Sequence, residues 1–302
     1  MGERAIEVKG LRKSYGDVEA VKGIDLHVDQ GEVFALLGPN GAGKTTTVEI
    51  LEGYRSRTAG EVGVLGHDPA KHALDLRRRF GIVLQSTGVD PYLTVRETIE
   101  MYSGYYAKPR PADGVIELVG LAEKRDTKVS KLSGGQQRRL DVAIALAGDP
   151  ALLFLDEPTT GFDPSARRNA WEIVRNLTAI GKTVFLTTHF MDEAQYLANR
   201  VAVISKGEIV AEGPPDTLAG RDRMLARIRY RLPAGAPSLP EWGQAPVGDG
   251  SYEMRAEDPT KTLHDLTGWA LDRRIAFEAL DVTRPTLEDV YIELTGGEEG
   301  SE

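Results

Sequence analysis

The chain has 302 residues, with 37 Lys and Arg against 46 Asp and Glu, so its formal net charge is −9. Hydrophobic residues make up 41% of the chain and charged residues 27%, which is enough for a buried core and excludes a wholly disordered protein. The acidic balance argues against a protein that mainly coats nucleic acid, and the lack of cysteine excludes disulfides, thiolate metal sites and cysteine nucleophiles.

The sequence contains no run of about 20 apolar residues, the length that a membrane-spanning helix needs. Its N-terminal segment, MGERAIEVKG, lacks the apolar core of a secretion signal. The five histidines are scattered without the spacing of a metal site. We therefore expect a soluble, cytoplasmic chain that depends on other chains for any membrane part.

The first third of the chain predicts strands, then a glycine-rich loop and a helix. Alternating apolar and polar residues predict half-buried strands at 5–8 and 24–28. An apolar run at 32–37 ends at Gly38, and a helical stretch follows at 45–51. Strand, glycine-rich loop and helix form the first half of a β-loop-α unit.

The next part of the chain is mostly helical, from about 89 to 149, and then alternates between strands and helices. Thr94 with Glu97 three residues later is typical of a capping box. Further helices are predicted at 112–119, 135–147 and 165–179. Short apolar runs predict buried parallel strands at 152–155 and 183–187, followed by a hairpin over 201–205 and 208–212.

A change in character near 213–220 predicts a domain boundary, so we assign 1–220 to one domain and 221–302 to a small α+β domain. The second domain opens with a period of two over 226–232. A Pro/Gly-rich loop, a strand, a helix, a strand and a helix are then predicted at 233–250, 252–256, 261–273, 277–282 and 286–294. With 10 basic and 16 acidic residues, this domain carries −6 of the net charge.

The loop after the third predicted strand matches the phosphate-loop pattern G-x-x-x-x-G-K-[ST]. Its glycines allow backbone N–H groups to converge on phosphate oxygens, and the following helix directs its positive end at the same anion. Lys44 adds a point charge, and the Thr45 hydroxyl can ligate Mg²⁺. The residues that we assign to nucleotide binding are Gly38, Pro39, Asn40, Gly41, Ala42, Gly43, Lys44, Thr45 and Thr46. The alternative, an ordinary glycine-rich turn, is disfavoured by the flanking strand and helix.

The apolar run at 151–155 ends in two carboxylates, Asp156 and Glu157. At a strand tip near the phosphate loop, Asp156 could hold Mg²⁺ through water. Glu157 could then polarise an attacking water as general base. Two adjacent acids alone would more often form a solvated turn, but the phosphate loop upstream favours the functional interpretation.

A second glycine-rich helix start lies at Leu132-Ser133-Gly134-Gly135-Gln136, which we call the signature segment. Such a helix N-terminus is a potential anion site. One nucleotide already has one phosphate loop, so a second cradle makes sense if it serves a nucleotide held by a different subunit. The alternative is a plain helix cap with Ser133 as N-cap.

Six motifs, in this order, resemble those of the ATP-binding cassette (ABC) transporter ATPases over about residues 4–215. They are Tyr15 in KSYG, GPNGAGKTT at 38–46, Gln85 in GIVLQ, LSGGQ at 132–136, LLFLDEP at 152–158 and His189 in TTH. The LSGGQ motif separates this family from other phosphate-loop proteins. The resemblance implies an α/β phosphate-loop NTPase core, with a mixed sheet, helices and a helical subdomain at about 87–150, followed here by the small C-terminal α+β domain.

The resemblance also implies roles for residues that carry little signal by themselves. Tyr15 corresponds to the aromatic residue that stacks on adenine, and His189 to the histidine that contacts the γ-phosphate. Gln85 corresponds to a glutamine that touches Mg²⁺ and the attacking water, on a loop facing the transmembrane partner. Asp163 resembles the D-loop residue at the dimer interface, although the family more usually has Leu where this chain has Phe162. The implied catalytic residues are Lys44, Gln85, Glu157 and His189, and the implied Mg²⁺ ligands are Thr45, Gln85 and Asp156.

The assembly implied by the resemblance is a head-to-tail sandwich of two ATPase subunits, most simply two copies of this chain. Each ATP would lie between one chain's phosphate loop and the other chain's signature residues, Ser133, Gly134, Gly135 and Gln136. Transmembrane permease subunits would be the other partners, at the cytoplasmic face of the plasma membrane, and no nucleic acid is expected.

The C-terminal run from Arg284 to Gly296 resembles the signature of drug-exporter ATPases of the daunorubicin-resistance type, so we expect export of a drug or another hydrophobic or lipid-like compound. Two alternative functions fit the sequence less well. A soluble ABC ATPase acting on nucleic acid or ribosomes typically carries paired cassettes, coiled-coil insertions or zinc modules, which this sequence lacks. A phosphate-loop kinase or GTPase needs no LSGGQ, and no guanine-specifying Asn-Lys-x-Asp occurs.

Overall fold

The computed structural model of the chain describes residues 3–83, 88–237, 240, 242–248 and 250–295. The chain divides into two units, Met1–Pro215 and Asp216–Glu302. The sequence places the boundary slightly later, between residues 220 and 221.

The first unit contains two sheets and the helices that accompany them. Its strands are β1 (Arg4–Tyr15), β2 (Val18–Asp29), β3 (Val33–Leu37), β4 (Ala59–Val64), β5 (Phe80–Val83), β6 (Leu152–Asp156), β7 (Thr183–Thr188), β8 (Arg200–Ser205) and β9 (Glu208–Gly213). Its helices are α1 (Lys44–Leu51), α2 (Pro69–Arg77), α3 (Val95–Ser103), α4 (Ala112–Leu118), α5 (Gly134–Leu146), α6 (Pro164–Ala179) and α7 (Met191–Leu197).

The two sheets differ in strand direction. Strands β1, β2 and β4 form an antiparallel sheet in the order β2-β1-β4. The larger sheet has the order β5-β6-β7-β3-β8-β9; its strands are parallel except for the β8–β9 hairpin. The helices α3, α4 and α5 lie between β5 and β6 in the chain. The predicted α/β class with a mixed sheet is confirmed.

The larger sheet is centred on strands that are buried on both faces. Every residue of β3 and β7, and four of the five residues of β6, are buried, as expected for parallel strands covered by helices. The rings of Phe34 and Phe154 lie 5.5 and 5.8 Å from that of Phe185 on the intervening strand. These contacts fix the three strands side by side.

The strand order brings the sequence motifs together at one edge of the sheet. In the parallel register, Leu37 pairs with Thr188, and Asp156 pairs with Thr187. The residues that follow these strands, Gly38, Glu157 and His189, therefore leave the sheet as neighbours. The carboxyl ends of parallel strands are the usual place for a ligand site in such sheets.

Within its described residues, the second unit has a four-stranded antiparallel sheet and two α-helices. Its strands are β10 (Ala226–Arg231), β11 (Ala245–Pro246), β12 (Ser251–Ala256) and β13 (Ala279–Thr283), in the order β11-β12-β10-β13, and its helices are α8 (Pro259–Asp272) and α9 (Leu287–Thr295). Alternate residues of β10, among them Ile228 and Tyr230, are buried in one cluster with Leu266 of α8. The predicted period of two over this strand is confirmed.

Several predicted elements need correction in extent. The first two strands run over 4–15 and 18–29 instead of 5–8 and 24–28, and β4, α2 and α7 were not predicted. The predicted capping box of α3 is confirmed, since the Thr94 hydroxyl accepts from the N–H of Glu97 while the Glu97 carboxylate accepts from the N–H of Thr94.

Among the helices of the described residues, none is both long enough and apolar enough to cross a lipid bilayer.

Candidate functional site

The phosphate loop, residues 38–45, has a conformation that its glycines make possible. Gly41 and Gly43 have φ angles of +80° and +106°, a region that favours glycine. A Cβ on Gly38 would lie 2.2 Å from the carbonyl oxygen of Ile204, and one on Gly43 would lie 2.7 Å from that of Ala20. The loop therefore packs against two neighbouring segments through its glycines and leads directly into α1.

The Lys44 ammonium is buried at the centre of this loop. Its Nζ donates to the carbonyl oxygens of Gly38 at 2.7 Å and Pro39 at 3.0 Å, and it lies 3.2 Å from Oε1 of Glu157. The residue is only 4% exposed, so the carboxylate and the two carbonyls replace most of the water that a free ammonium would bind. Lys44 thus joins the phosphate loop to the end of β6.

Glu157 sits on a strained turn directly after β6. Its φ of +45° is uncommon for a residue with a Cβ and typically costs about 1–2 kcal/mol. The backbone N–H of Glu157 donates to the carbonyl and hydroxyl oxygens of Thr187, each at 3.1 Å. Its side-chain Oε2 accepts from the Thr160 hydroxyl at 3.1 Å. Strain held in place by several contacts is typical of functional positions.

The two carboxylates at this strand end have opposite electrostatic environments. Burial raises the pKa of Asp156 above its ordinary value, and the charge of Glu157 adds to that rise. Burial would also raise the pKa of Glu157, but the charge of Lys44 and the hydrogen bonds from Lys44 and Thr160 outweigh it, so its pKa is lowered. Glu157 is therefore an ionised carboxylate at neutral pH and can accept a proton.

His189 lies beside the other oxygen of the Glu157 carboxylate. Its Nδ1 is 3.3 Å from Oε2 of Glu157, although the two groups are not aligned for a hydrogen bond. The structure thus brings Lys44, Glu157 and His189 together at the sheet edge. Of the other predicted residues of the phosphate loop and α1, Asn40 and Thr45 are exposed and Thr46 is half-buried.

Two of the three predicted Mg²⁺ ligands, Asp156 and Thr45, lie within the described residues. Oδ1 of Asp156 accepts a hydrogen bond from the Thr187 hydroxyl at 2.5 Å, which fixes the orientation of the carboxylate. Carboxylate and hydroxyl oxygens are ligand types that Mg²⁺ accepts, usually together with phosphate oxygens and water. Within the described part of the chain, no three acidic or histidine side chains cluster closely enough to hold a metal by themselves. The third predicted ligand, Gln85, lies outside the described residues.

Tyr15 is exposed at the end of β1, with cationic side chains near its ring. The Nζ of Lys13 lies 5.0 Å from the ring centroid, and the guanidinium carbon of Arg55 lies 5.3 Å from it. Arg55 also pairs with Glu49 of α1. Sequence reasoning missed Arg55, because it lies far from Tyr15 in the chain and belongs to no motif.

The signature segment forms the start of α5 as a capping box. The Ser133 hydroxyl accepts from the N–H of Gln136 at 3.4 Å, and the Gln136 side chain accepts from the N–H of Ser133 at 3.0 Å. Both glycines differ from those of the phosphate loop: neither Gly134 nor Gly135 has a positive φ, and a Cβ on either would meet nothing within 4 Å. Within the part of the chain that the structure describes, neither backbone angles nor packing requires glycine at these two positions.

Asp163 is the N-cap of α6. Its Oδ1 accepts from the N–H groups of Ser165 at 2.8 Å and Ala166 at 2.9 Å. Phe162, beside it, is half-buried and lines a cavity of about 880 Å³ together with Ser133 and Gly134. The signature segment and the phosphate loop each make their own set of hydrogen bonds.

The structure also contains a buried acid, close enough to Asp156 to be repelled by its charge, that sequence reasoning did not identify. Glu52, which follows α1, is 4% exposed. Burial, reinforced by repulsion from Asp156 and Glu49, raises its pKa to about 8. The C-terminal end of a helix is also an unfavourable place for a negative charge. Glu52 therefore holds a proton in the folded chain at neutral pH.

This proton predicts a stability that declines with pH. Between 4.5, the ordinary pKa, and about 8, the folded chain keeps a proton that the unfolded chain loses, so the free energy of unfolding falls as pH rises. We expect Glu52→Gln to be more stable than the wild type at pH 8 by roughly 3–5 kcal/mol and about equal to it at pH 4. Urea unfolding at several pH values measures the difference, with exposed Glu172→Gln as control. Parallel pH curves for wild type and Glu52→Gln would contradict the assignment.

Comparison with known proteins gives matches over both units. A family model described as "ABC transporter" matches residues 21–160. A second model, described as "ABC transporter domain-containing protein-like, C-terminal domain", matches residues 226–286. The daunorubicin resistance ATP-binding protein DrrA3 of Streptomyces coeruleorubidus is 39% identical over 310 residues, covering 98% of this chain and 97% of that protein. The Nod factor export ATP-binding protein I of Rhizobium meliloti is 39% identical over 305 residues, covering 97% and 89%.

Solved structures match about 70% of the chain. A dimeric, post-hydrolysis ATP-binding cassette bound to ADP and Pi is 27% identical, with a TM-score of 0.60, covering 69% of this chain and 98% of that one. CbiO1 of Clostridium perfringens, part of the ABC transporter complex cbiONQ, is 27% identical, with a TM-score of 0.63, covering 71% and 90%.

Proposed function

Because this chain belongs to the ATP-binding proteins of ABC transporters and is therefore an ATP-hydrolysing transport subunit, we propose that it works as a dimer in which each ATP is held by two chains. The phosphate loop of one chain would hold the triphosphate, and the signature segment of the other would close over it. The relatives favour this function over that of a soluble ATPase acting on nucleic acid or ribosomes.

The observation that supports binding of each ATP between two chains is the pair of glycines at the start of α5. Glycine in a helix costs up to about 1 kcal/mol relative to alanine, and neither the backbone angles nor the surroundings of Gly134 and Gly135 call for glycine. Bare backbone at an exposed helix N-terminus offers N–H groups and a positive dipole end to an anion. Because the phosphate loop of the same chain already binds one nucleotide, that anion would belong to the partner's ATP.

Gly135→Ala is expected to separate stability from activity. The chain should be as stable as the wild type or more so, by about 0.4–1 kcal/mol, and a single chain should bind ATP normally. Hydrolysis should fall by about 10²-fold, the scale of a roughly 1 Å misplacement in an active site. Steady-state phosphate release and thermal unfolding give the two readouts.

The matched control is Gly268→Ala, because Gly268 also lies within a helix and a Cβ there would meet nothing within 4 Å. That change should add similar stability and leave hydrolysis unaltered. Normal hydrolysis by Gly135→Ala would reject the role of the signature segment.

For the remaining residues, we propose the roles that membership of the family implies. Lys44 would neutralise the outer phosphates, and Glu157 would accept a proton from the attacking water. Asp156 and Thr45 would hold Mg²⁺, which supplies charge neutralisation to the phosphates when bound. His189, next to Glu157, would contact the γ-phosphate, Tyr15 would stack on adenine, and Asp163 would lie at the dimer interface.

The transport partner would be a separate membrane permease, with this chain bound at the cytoplasmic face of the plasma membrane. The relatives are named for daunorubicin resistance and Nod factor export, so we propose export of a drug or another hydrophobic or lipid-like compound. The test is purification of the tagged chain from detergent-solubilised membranes. A co-purifying polytopic protein that raises the ATPase rate supports the proposal, and a chain that never leaves the aqueous fraction contradicts it.

A further inference from the structure

Arg138 is a buried cation on α5, one turn after the helix begins at Gly134. It is 8% exposed, and its neighbours along the helix include Leu140 and Val142, which are also buried. Burial lowers the pKa of Arg138, against the attraction of Asp141, Glu193 and Asp156. A buried guanidinium loses several kcal/mol of hydration, so a leucine or methionine would cost less here if packing were the only need.

The guanidinium reaches the loop that carries Glu157. Nε of Arg138 donates to the carbonyl oxygen of Pro158 at 3.2 Å, and Nη1 lies 3.8 Å from the Asp141 carboxylate. Pro158 follows Glu157 directly. The helix that begins with the signature segment is thus bonded to the peptide next to the proposed general base.

The same loop, residues 157–160, is also bonded to Glu193 of α7, which in turn is bonded to α6. The Thr159 hydroxyl donates to Oε1 of Glu193 at 2.9 Å, and the indole N–H of Trp171 donates to the same oxygen at 3.0 Å. With the bonds from the Glu157 N–H to Thr187, the loop is tied to β7 and α7 as well as to α5. Among these contacts, the bond from Arg138 to Pro158 comes from α5, the helix that begins with the signature segment.

We propose that Arg138 is a positioning residue that couples the signature segment to Glu157: when a nucleotide engages the start of α5, the bond from Arg138 to Pro158 aligns the strained loop and its carboxylate. This rests on the proposed function, because it needs the partner's nucleotide at the signature segment. A rigid helix transmits a small shift over one turn, and a shift of about 1 Å at a reacting group can change the rate by about 10²-fold.

The experiment compares Arg138→Met, which removes the guanidinium while keeping a long side chain, with Arg138→Lys, which keeps the charge. The expected result for Arg138→Met is a fall in kcat of about 10-fold or more with an unchanged KM for ATP, and an intermediate kcat for Arg138→Lys. In a Glu157→Gln background, Arg138→Met should still form the ATP-bound dimer, because positioning acts on cleavage and not on binding. A merely structural role would not split kcat from KM and dimer formation in this way.

The matched control is Arg175→Met on α6, an exposed arginine whose side chain pairs with Glu172 and Tyr196; it should retain wild-type kcat. A kcat of Arg138→Met within twofold of the wild type, or a parallel loss of dimer in the Glu157→Gln background, overturns the proposal. If Arg138→Met does not fold, a folded Arg138→Lys with wild-type kcat overturns it and one with reduced kcat and normal KM supports it. Failure of the Glu157→Gln chain itself to form an ATP-bound dimer would instead reject the proposed function.

Discussion

Glu157→Gln is expected to hydrolyse ATP about 10²–10⁴-fold more slowly than the wild type, the range that loss of a general base produces. The exchange keeps the size of the side chain and removes the charge that accepts the proton of the attacking water. Glu157 is suited to this role because Lys44, 3.2 Å away, holds its pKa below the ordinary value despite burial. Steady-state phosphate release at saturating Mg·ATP measures the effect.

The same variant should bind ATP at least as well as the wild type and accumulate as an ATP-bound dimer. The uncharged amide that replaces the carboxylate would not repel the triphosphate, and closure of the two chains depends on neutralising the phosphates and not on cleaving them. Size-exclusion chromatography with and without Mg·ATP reports the dimer. The control is Glu172→Gln, an exposed acid on α6, which should change neither rate nor association. Turnover near the wild-type rate would remove Glu157 from its role.

Sequence reasoning predicted the parts of the site that are local in the chain. A phosphate loop needs a strand, a few glycines and a helix in succession, and β3 ends at Leu37 while α1 begins at Lys44. Asp156 lies at the end of β6, as the apolar run before it indicates. In both cases one short segment contains the whole signal, so composition and order suffice.

The elements that were missed lack such a signal or interrupt it. Strands β1 and β2 extend past Gly10 and Gly23, which have φ angles of +57° and +88°, and register shifts occur along the pair, so the alternation of apolar residues breaks. Helix α7 has seven residues, too few to display a helical period. Helix α2 could have been found, because Asp68 and Pro69 are N-cap and first-turn signals.

The contacts that organise the site join distant parts of the sequence and could not be predicted from it. The approach of Lys44 to Glu157, the place of Arg55 beside Tyr15 and the bond from Arg138 to Pro158 each depend on how the strands and helices pack. The charge state of Glu52 likewise depends on how completely the fold buries it. Motifs identified the candidate groups, whereas the fold determines which of them face one another.

Lys44→Ala is expected to weaken ATP binding by about 10–100-fold, which corresponds to loss of charged hydrogen bonds worth roughly 1.5–3 kcal/mol. Lys44 is the cation at the centre of the phosphate loop, and its buried position means that water does not compensate fully for its removal. The main defect of this variant should be its affinity for ATP, whereas the main defect of Glu157→Gln should be its rate of hydrolysis. Equilibrium binding of a fluorescent ATP analogue measures the affinity directly.

The control is Lys71→Ala, because the Lys71 side chain is 75% exposed and pairs only loosely with Asp68, at 3.7 Å. It removes the same charge from the first unit and should leave the affinity for ATP unchanged. Lys44→Ala also deprives Glu157 of its nearest cation, so the pKa of Glu157 should rise towards the value that burial alone favours. Thermal unfolding of the nucleotide-free variant shows whether the loss of ATP affinity comes from a general loss of folding. An unchanged affinity in a folded Lys44→Ala chain would mean that the triphosphate binds elsewhere.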